Sequence, residues 1–200
     1  KRIMAYTTIN KSTDYFNTKL YTGNSSTQAL TGIGFQPDFV WTKPRVTGGH
    51  FLSDSIRGGT KIVQSADTGA ESTRSNHIQS FDSDGFTLGA DGTSNNNGDA
   101  TVAWNWKAGT TSGINTTGAD ITPSSYSMNA TSGISIIKFT GNGVDGAKIA
   151  HGLGAVPELI ISKRLENSNY WAVYHKLDVT DYLVLNTDAA YSDAPLWKDT

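Results

Sequence analysis

The chain has 200 residues, a formal net charge of −2 and no cysteine. The missing cysteine excludes disulfides, thiol catalysis and cysteine-ligated metal sites, and the near-neutral charge lacks the basic footprint of a nucleic-acid-binding protein. No apolar run approaches the roughly 20 residues that a membrane-spanning helix needs.

The predicted elements are nearly all β-strands. β-Branched and aromatic residues alternate with polar ones at period two, and Gly, Asn and Asp separate these runs as turn residues. Short strands at roughly ten-residue spacing indicate an all-β fold of antiparallel β-sandwich modules, jelly-roll-like in type. Helical candidates are short, at 12–19 and 174–178. The predicted strands are 19–22, 38–43, 50–53, 61–64, 78–81, 85–88, 101–107, 135–140, 148–150, 158–163, 170–174 and 182–186, with an irregular edge strand near 121–126.

Much of the sequence occurs twice. Residues 21–24 (Tyr-Thr-Gly-Asn) return as 139–142 (Phe-Thr-Gly-Asn), and the run 31–43 returns as 151–163 with its glycines, proline and final lysine in place. Such repetition is typical of modular scaffolds rather than compact single-site enzymes. The predicted tandem domains are an N-terminal arm at 1–20, a first β-sandwich repeat at 21–109, a Thr/Ser/Gly-rich linker at 110–133 and a truncated second repeat at 134–200.

The second repeat stops before any counterpart of residues 81–106, a segment that ends in Trp104-Asn105-Trp106. We therefore expect the second module to be incomplete. Two explanations remain open: the chain is a fragment of a longer protein, or a neighbouring chain completes the sheet.

Large apolar side chains on one face of the strands predict the structural core. Phe39 and Trp41 project from the same face of their strand, and Trp171 aligns with Phe51 of the first repeat. Burying one aromatic side chain removes roughly 150–250 Å² from water, so these residues should carry much of the core energy. The predicted core residues are Phe39, Trp41, Val102, Trp104, Trp106, Leu159, Ile161 and Trp171.

Side chains that could carry chemistry are sparse. No two of the histidines His50, His77, His151 and His175 have metal-site spacing, so they are interpreted as solvated or edge-strand residues. The sequence contains no nucleophile elbow and no phosphate-binding loop. We predict no catalytic residue, no cofactor and no enzymatic activity.

Residues 82–85 (Asp-Ser-Asp-Gly) resemble the start of a calcium loop, with Asp91 and Asp99 as further oxygen donors. Calcium takes six to eight oxygen ligands, and an EF-hand loop needs Glu at its twelfth position, where this chain has Thr93. The favoured interpretation is an Asp-Gly hairpin turn and no metal site. A structural cation at Asp82 and Asp84 is the alternative.

Two further predictions concern side chains outside the predicted core. Tyr191 and Trp197 lie in a loop-like stretch with no counterpart in the first repeat. Because glycan-binding proteins stack sugars on such rings, both are candidate ligand-binding residues. Asp54 lies three residues before Arg57 and is expected to brace a loop through an ion pair, which contributes little if exposed.

The motifs of the chain also carry a family resemblance. They lie at residues 4–9, 21–24, 32–43, 54–58, 80–89 and 102–109. Together these segments resemble a repeat family of tailed bacteriophages, particularly marine ones, that is found in virion structural and tail-fibre-like proteins. The family carries no established catalytic residues, so the resemblance transfers none.

The resemblance implies a non-enzymatic virion module on the extracellular surface of the particle, in a tail fibre or fibre-like appendage involved in host attachment. Two alternatives are a purely structural capsid or tail decoration or spacer and, less favoured, a glycan-degrading tailspike. The implied partners are other virion subunits, a homo-oligomer that is trimeric by analogy, and a host surface glycan or protein. Neither nucleic acid nor a membrane span is expected.

Overall fold

The computed structural model describes residues 9–188. Within them the named strands pair antiparallel, and a 3₁₀ turn at Ser12–Asp14 is the helical structure present. The all-β prediction is confirmed. The strands are β1 (Phe16–Thr22), β2 (Gln28–Leu30), β3 (Phe39–Pro44), β4 (Phe51–Asp54), β5 (Lys61–Gln64), β6 (Ser72–Thr73), β7 (Ile78–Asp82), β8 (Gly85–Leu88), β9 (Ala100–Trp106), β10 (Ser125–Asn129), β11 (Ile134–Lys138), β12 (Leu159–Ser162), β13 (Ala172–His175) and β14 (Asp178–Val184).

The first repeat is a sandwich of two antiparallel sheets. A six-stranded sheet of order β1-β9-β3-β4-β5-β6 faces a three-stranded sheet of order β2-β8-β7. Side chains from both sheets and from the loop before β3 form the core between them. The core residues are Tyr21, Leu30, Ile33, Phe35, Val40, Ile78, Phe86, Leu88 and Ala103.

The inward side chains of β3 and β9 are small, and those that the smaller sheet places opposite them are large. Val40 and Ala103 are fully buried on one side, and they oppose Phe86 and Leu88 on the other. Face-to-face sheets pack about 10 Å apart, so short side chains on one sheet leave room for rings on its partner. Next to β3 and β9, the volume of the core therefore comes mainly from the smaller sheet.

The predicted core face of β3 and β9 is therefore wrong. Alternation along these strands puts the large side chains on the outer face of the six-stranded sheet, where they are half-buried. Ring centroids lie 5.3 Å apart for Phe39 and Trp106 and 6.1 Å apart for Trp41 and Trp104. The residues whose assignment to the sandwich core is corrected are Phe39, Trp41, Val102, Trp104 and Trp106. The aromatic side chains of this outer face are called the aromatic face below: Phe16, Phe39, Trp41, Trp104 and Trp106.

The second repeat covers part of the aromatic face. Trp171 is 4% exposed, and it forms a second buried cluster with Leu52 and Val63, against which Phe39 and Trp41 pack. Burial of Trp171 is as predicted, although its neighbours belong to the first repeat. The outer face of the first sheet is therefore the contact between the repeats.

The second repeat reproduces only part of the first sheet. The order β12-β13-β14 corresponds to β3-β4-β5, and β11 is the sequence counterpart of β1. Ser162 pairs with Ala172 as Thr42 pairs with Phe51. The predicted alignment of Trp171 with Phe51 is therefore shifted by one residue, because the loop before β13 is one residue longer.

Leu159 and Ile161 are 54% and 43% exposed, so their assignment to the core is wrong. They occupy the positions of Phe39 and Trp41, which the other repeat covers. Among residues 9–188 nothing covers β12 in that way, and the same alternation leaves these side chains in solvent.

Two segments predicted to lie outside the modules contribute strands. β1 begins at Phe16, inside the predicted arm, and β10 lies inside the predicted linker, where it pairs with β11. Strands β2 and β6 were not predicted, and the two helical candidates lie mainly in β1 and in β13 with its turn. No helix in the described part of the chain is long and apolar enough to cross a membrane.

Candidate functional site

A cleft of about 620 Å³ opens where the first repeat meets the β10–β11 hairpin. Phe39 pairs with both Asp54 and Trp106. The start of β3 and the ends of β4 and β9 therefore lie side by side at one end of the sheet. The residues just outside these strand ends form the cleft. Its lining is Gln36, Asp38, Ser55, Ile56, Lys107, Gly109, Thr111, Ser124, Ser125 and Tyr126.

Asp38 lies at the base of this cleft and is only 5% exposed. Its Oδ1 accepts hydrogen bonds from the hydroxyls of Ser55 (2.8 Å) and Ser127 (3.0 Å), and its Oδ2 accepts one from the amide of Ala108 (2.9 Å). Such bonds offset the cost of burying a carboxylate. Asp38 therefore fastens the β10–β11 hairpin to the sandwich, and its oxygens are engaged within the protein.

The outer part of the cleft offers polar groups and one aromatic ring. Gln36, Thr111 and Ser124 are exposed, whereas Lys107 and Tyr126 are half-buried. The Tyr126 hydroxyl accepts a hydrogen bond from the amide of Ile114 at 3.0 Å, which holds the ring in the wall. A small number of polar groups beside a fixed ring is enough to orient a small polar ligand.

The aspartates considered for calcium brace a hairpin instead. Asp84 accepts hydrogen bonds from the amides of Gly32 (2.9 Å) and Gly34 (2.6 Å), and these bonds lower the pKa of its carboxyl group. Asp82 accepts hydrogen bonds from the hydroxyls of Ser80 (2.8 Å) and Thr87 (2.7 Å). Between residues 9 and 188 no three His, Asp or Glu side chains converge as metal ligands. Tyr191 and Trp197 lie outside the described residues.

Comparison of the sequence with protein families gives a match. Residues 11–200 match the family described as Domain of unknown function (DUF7483). The chain belongs to this family. Comparison with curated proteins and with solved structures gave no match. The DUF7483 match spans both repeats and the segment between them.

Loops of the two repeats meet directly in this DUF7483 chain. The indole Nε1 of Trp171 donates a hydrogen bond to the carbonyl of Gln64 at 2.8 Å. The amide of Glu71 donates to the carbonyl of Leu165, and the amide of Asn169 donates to that of Thr68, each at 2.8 Å. Backbone bonds in both directions hold loop 65–71 of the first repeat against loop 163–171 of the second.

The lysine that ends each repeated run has the same role in both copies. Nζ of Lys43 donates to the carbonyls of Pro44 and Val46, and Nζ of Lys163 donates to that of Arg164 at 3.1 Å. Lys163 also donates to the carbonyl of Thr68 at 3.1 Å and lies 6.0 Å from the centroid of the Trp171 ring system. Desolvation by burial lowers the pKa of Lys163. This lysine caps the carbonyls of the loop that follows its strand.

A buried ion network supports the same region. Nε of Arg57 lies 2.5 Å from a carboxylate oxygen of Asp54, and Nη1 lies 3.0 Å from one of Glu71. The predicted ion pair is therefore present, but it is buried, and it includes Glu71 as a second acid. The network ties the turn after β4 to loop 65–71, which contacts the second repeat.

His77 is fully buried, so its interpretation as a solvated or edge-strand residue is wrong. Its Nδ1 lies 3.0 Å from the hydroxyl of Ser94, and its ring meets that of Phe51 edge-on. Burial lowers the pKa of His77 to about 4. Nothing in the local sequence distinguishes this histidine from the others, because its burial comes from distant elements of the sandwich.

Proposed function

We propose that the chain is a non-enzymatic structural module of a tailed-phage virion, placed in a tail fibre or fibre-like appendage on the extracellular surface and involved in host attachment. One observation carries the structural part of this proposal. The aromatic face of the first repeat meets the second repeat through Trp171. Aromatic side chains used this way join consecutive modules, which is what an appendage built from repeats requires.

The attachment part of the proposal rests on the cleft beside Asp38. Exposed amide and hydroxyl groups of Gln36, Thr111 and Ser124 surround the half-buried ring of Tyr126. These groups suit the hydroxyls and the apolar face of a sugar. A host surface glycan is therefore the ligand we assign to this cleft, with Tyr191 and Trp197 as additional predicted contacts.

The other two functions make different demands on the same cleft. A capsid or tail spacer needs only the internal bonds of Asp38, with no ligand. A glycan-degrading tailspike needs two carboxyl groups flanking the scissile bond, whereas Asp38 is the carboxylate in the described lining and its oxygens accept three hydrogen bonds. We propose other virion subunits as partners in a homo-oligomer, trimeric by analogy with fibres.

The experiment is a glycan-array and host-cell binding assay with the full chain. Gln36→Ala and Thr111→Ala should lower binding. Asn167→Ala, at an exposed residue that is not part of the cleft lining, should leave it unchanged. Tyr191→Ala and Trp197→Ala test the two predicted contacts. Absence of binding together with density for the module in a virion map would favour the spacer, and loss of polysaccharide viscosity would favour the tailspike. Absence of the chain from purified particles would refute the virion assignment itself.

A further inference from the structure

The segment 78–106 supplies three contacts to the rest of the first repeat. Strand β9 pairs with β3 along the edge of β3 that β4 does not occupy. Phe86 and Leu88 cover the inner face of the larger sheet. Asp84 accepts hydrogen bonds from the backbone amides of Gly32 and Gly34. These two turn glycines have φ of 78° and 92°.

The second repeat retains the receiving side of each of these contacts. β12 corresponds to β3, and within residues 9–188 it pairs with β13 alone, so its other edge is open. Gly152 and Gly154 keep the left-handed turn, with φ of 70° and 72°. Ile160 and Ser162, at the inward positions of Val40 and Thr42, are half-buried instead of fully buried.

We propose that the second repeat is an acceptor for a polypeptide segment built like residues 78–106, in which an Asp-Gly hairpin precedes a strand of the β9 type. That strand alternates small or polar side chains with larger apolar ones, as residues 101–106 do. The occupant is defined by the first repeat, where such a segment is already seated on the equivalent edge. Addition of a strand to an open edge is a known mode of recognition, and an uncovered edge with exposed apolar neighbours is otherwise an aggregation hazard.

The first repeat also sets the register of the incoming strand. Trp41 pairs with Trp104 and Thr42 pairs with Ala103. The repeated run puts Ile161 at the position of Trp41, so Ile161 should lie opposite the residue equivalent to Trp104. The residue equivalent to Ala103 should lie opposite Ser162, with its side chain on the other face. This inference does not depend on the proposed virion function.

Disulfide trapping tests the register directly, because the chain contains no cysteine of its own. The full chain carrying Ile161→Cys is mixed under mild oxidation with synthetic peptides of residues 98–108 that carry Trp104→Cys or Ala103→Cys. Directly opposed side chains in an antiparallel pair are close enough for a disulfide, whereas side chains on opposite faces are not. Cross-linking of the Trp104→Cys peptide should therefore be roughly tenfold faster than that of the Ala103→Cys peptide.

Two controls make the result decisive. Ile161 is 43% exposed, so cysteine at this position should not unfold the chain. Leu177→Cys, at a position that is 83% exposed and outside β12, should react slowly and equally with both peptides. Equal rates of the two peptides with Ile161→Cys, or no cross-link at all, would overturn the proposal. Rapid disulfide-linked dimers of the Ile161→Cys chain, undiminished by peptide, would overturn it in favour of a second copy as the occupant.

Discussion

Removal of the Trp171 side chain should separate the two repeats. The indole is 4% exposed, packs against Leu52 and Val63, and donates a hydrogen bond to the carbonyl of Gln64. Burial of 150–250 Å² at about 25 cal/mol/Å² gives about 4–6 kcal/mol, and measured Trp→Ala costs of about 3–5 kcal/mol are similar. We expect Trp171→Ala to cost about 4 kcal/mol in the free energy that couples the repeats.

Hydrogen exchange read by mass spectrometry measures this coupling. The amides of Glu71 and Asn169 bond across the repeats, so they should lose protection in Trp171→Ala. Amides of β3 and β9, at the centre of the six-stranded sheet, should keep theirs. Trp171→Phe retains a ring but leaves the Gln64 carbonyl without its donor, and should cost about 1–2 kcal/mol.

Leu177→Ala is the matched control, since its side chain is 83% exposed, and it should leave exchange unchanged. Unaltered protection of Glu71 and Asn169 in Trp171→Ala would refute the claim that this indole joins the repeats. Loss of protection throughout β3 and β9 would also refute it, because Trp171 would then support the sandwich itself.

The remaining predictions concern buried polar groups of the first repeat. His77 has a pKa of about 4 in the folded chain and about 6.5 when unfolded. Because the unfolded chain binds the proton more tightly, this group should lower the free energy of unfolding by about 3 kcal/mol as the pH drops from 6.5 to 4. Urea unfolding at several pH values should show that His77→Gln lacks this part of the loss. Arg57→Met leaves the buried Asp54 and the half-buried Glu71 without their cation and should cost about 3–5 kcal/mol in urea unfolding, with only partial recovery in Arg57→Lys. An effect below 1 kcal/mol would contradict the buried network. Asp38→Ala removes the acceptor of three hydrogen bonds and should cost about 3 kcal/mol, with faster amide exchange in β10; unchanged exchange there would show that Asp38 does not hold the hairpin.

Strand positions could be predicted from the sequence because they depend on local pattern and turn residues. The runs 61–64 and 85–88 coincide with β5 and β8. β2 and β6 are only two or three residues long and lack an alternating apolar pattern, so their pairing depends on β8 and β5 rather than on their own residues. Short strands of this kind exist through their neighbours, which local sequence does not describe.

The inward face of each strand could not be predicted in the same way. Alternation predicts that Phe39 and Trp41 share a face. Which face of the strand points into the core depends on the side chains that the opposite sheet brings. Here that sheet brings Phe86 and Leu88, and only the smaller Val40 and Ala103 fit opposite them. The rule that larger side chains mark the core fails because this sheet is covered on both faces.

The cleft was beyond sequence reasoning for a related reason. Asp38 was identified as part of a repeated run, but the groups that bond to it, Ser55, Ser127 and the amide of Ala108, lie 17 to 89 positions away along the chain. Its counterpart in the second repeat, Glu158, is paired instead with Lys176 on the surface. The same repeated position therefore holds a buried hydrogen-bonding centre in one copy and a surface ion pair in the other. What the repeat conserves is the backbone of the strand and its flanking glycine turn, and each copy's contacts decide what the side chains do.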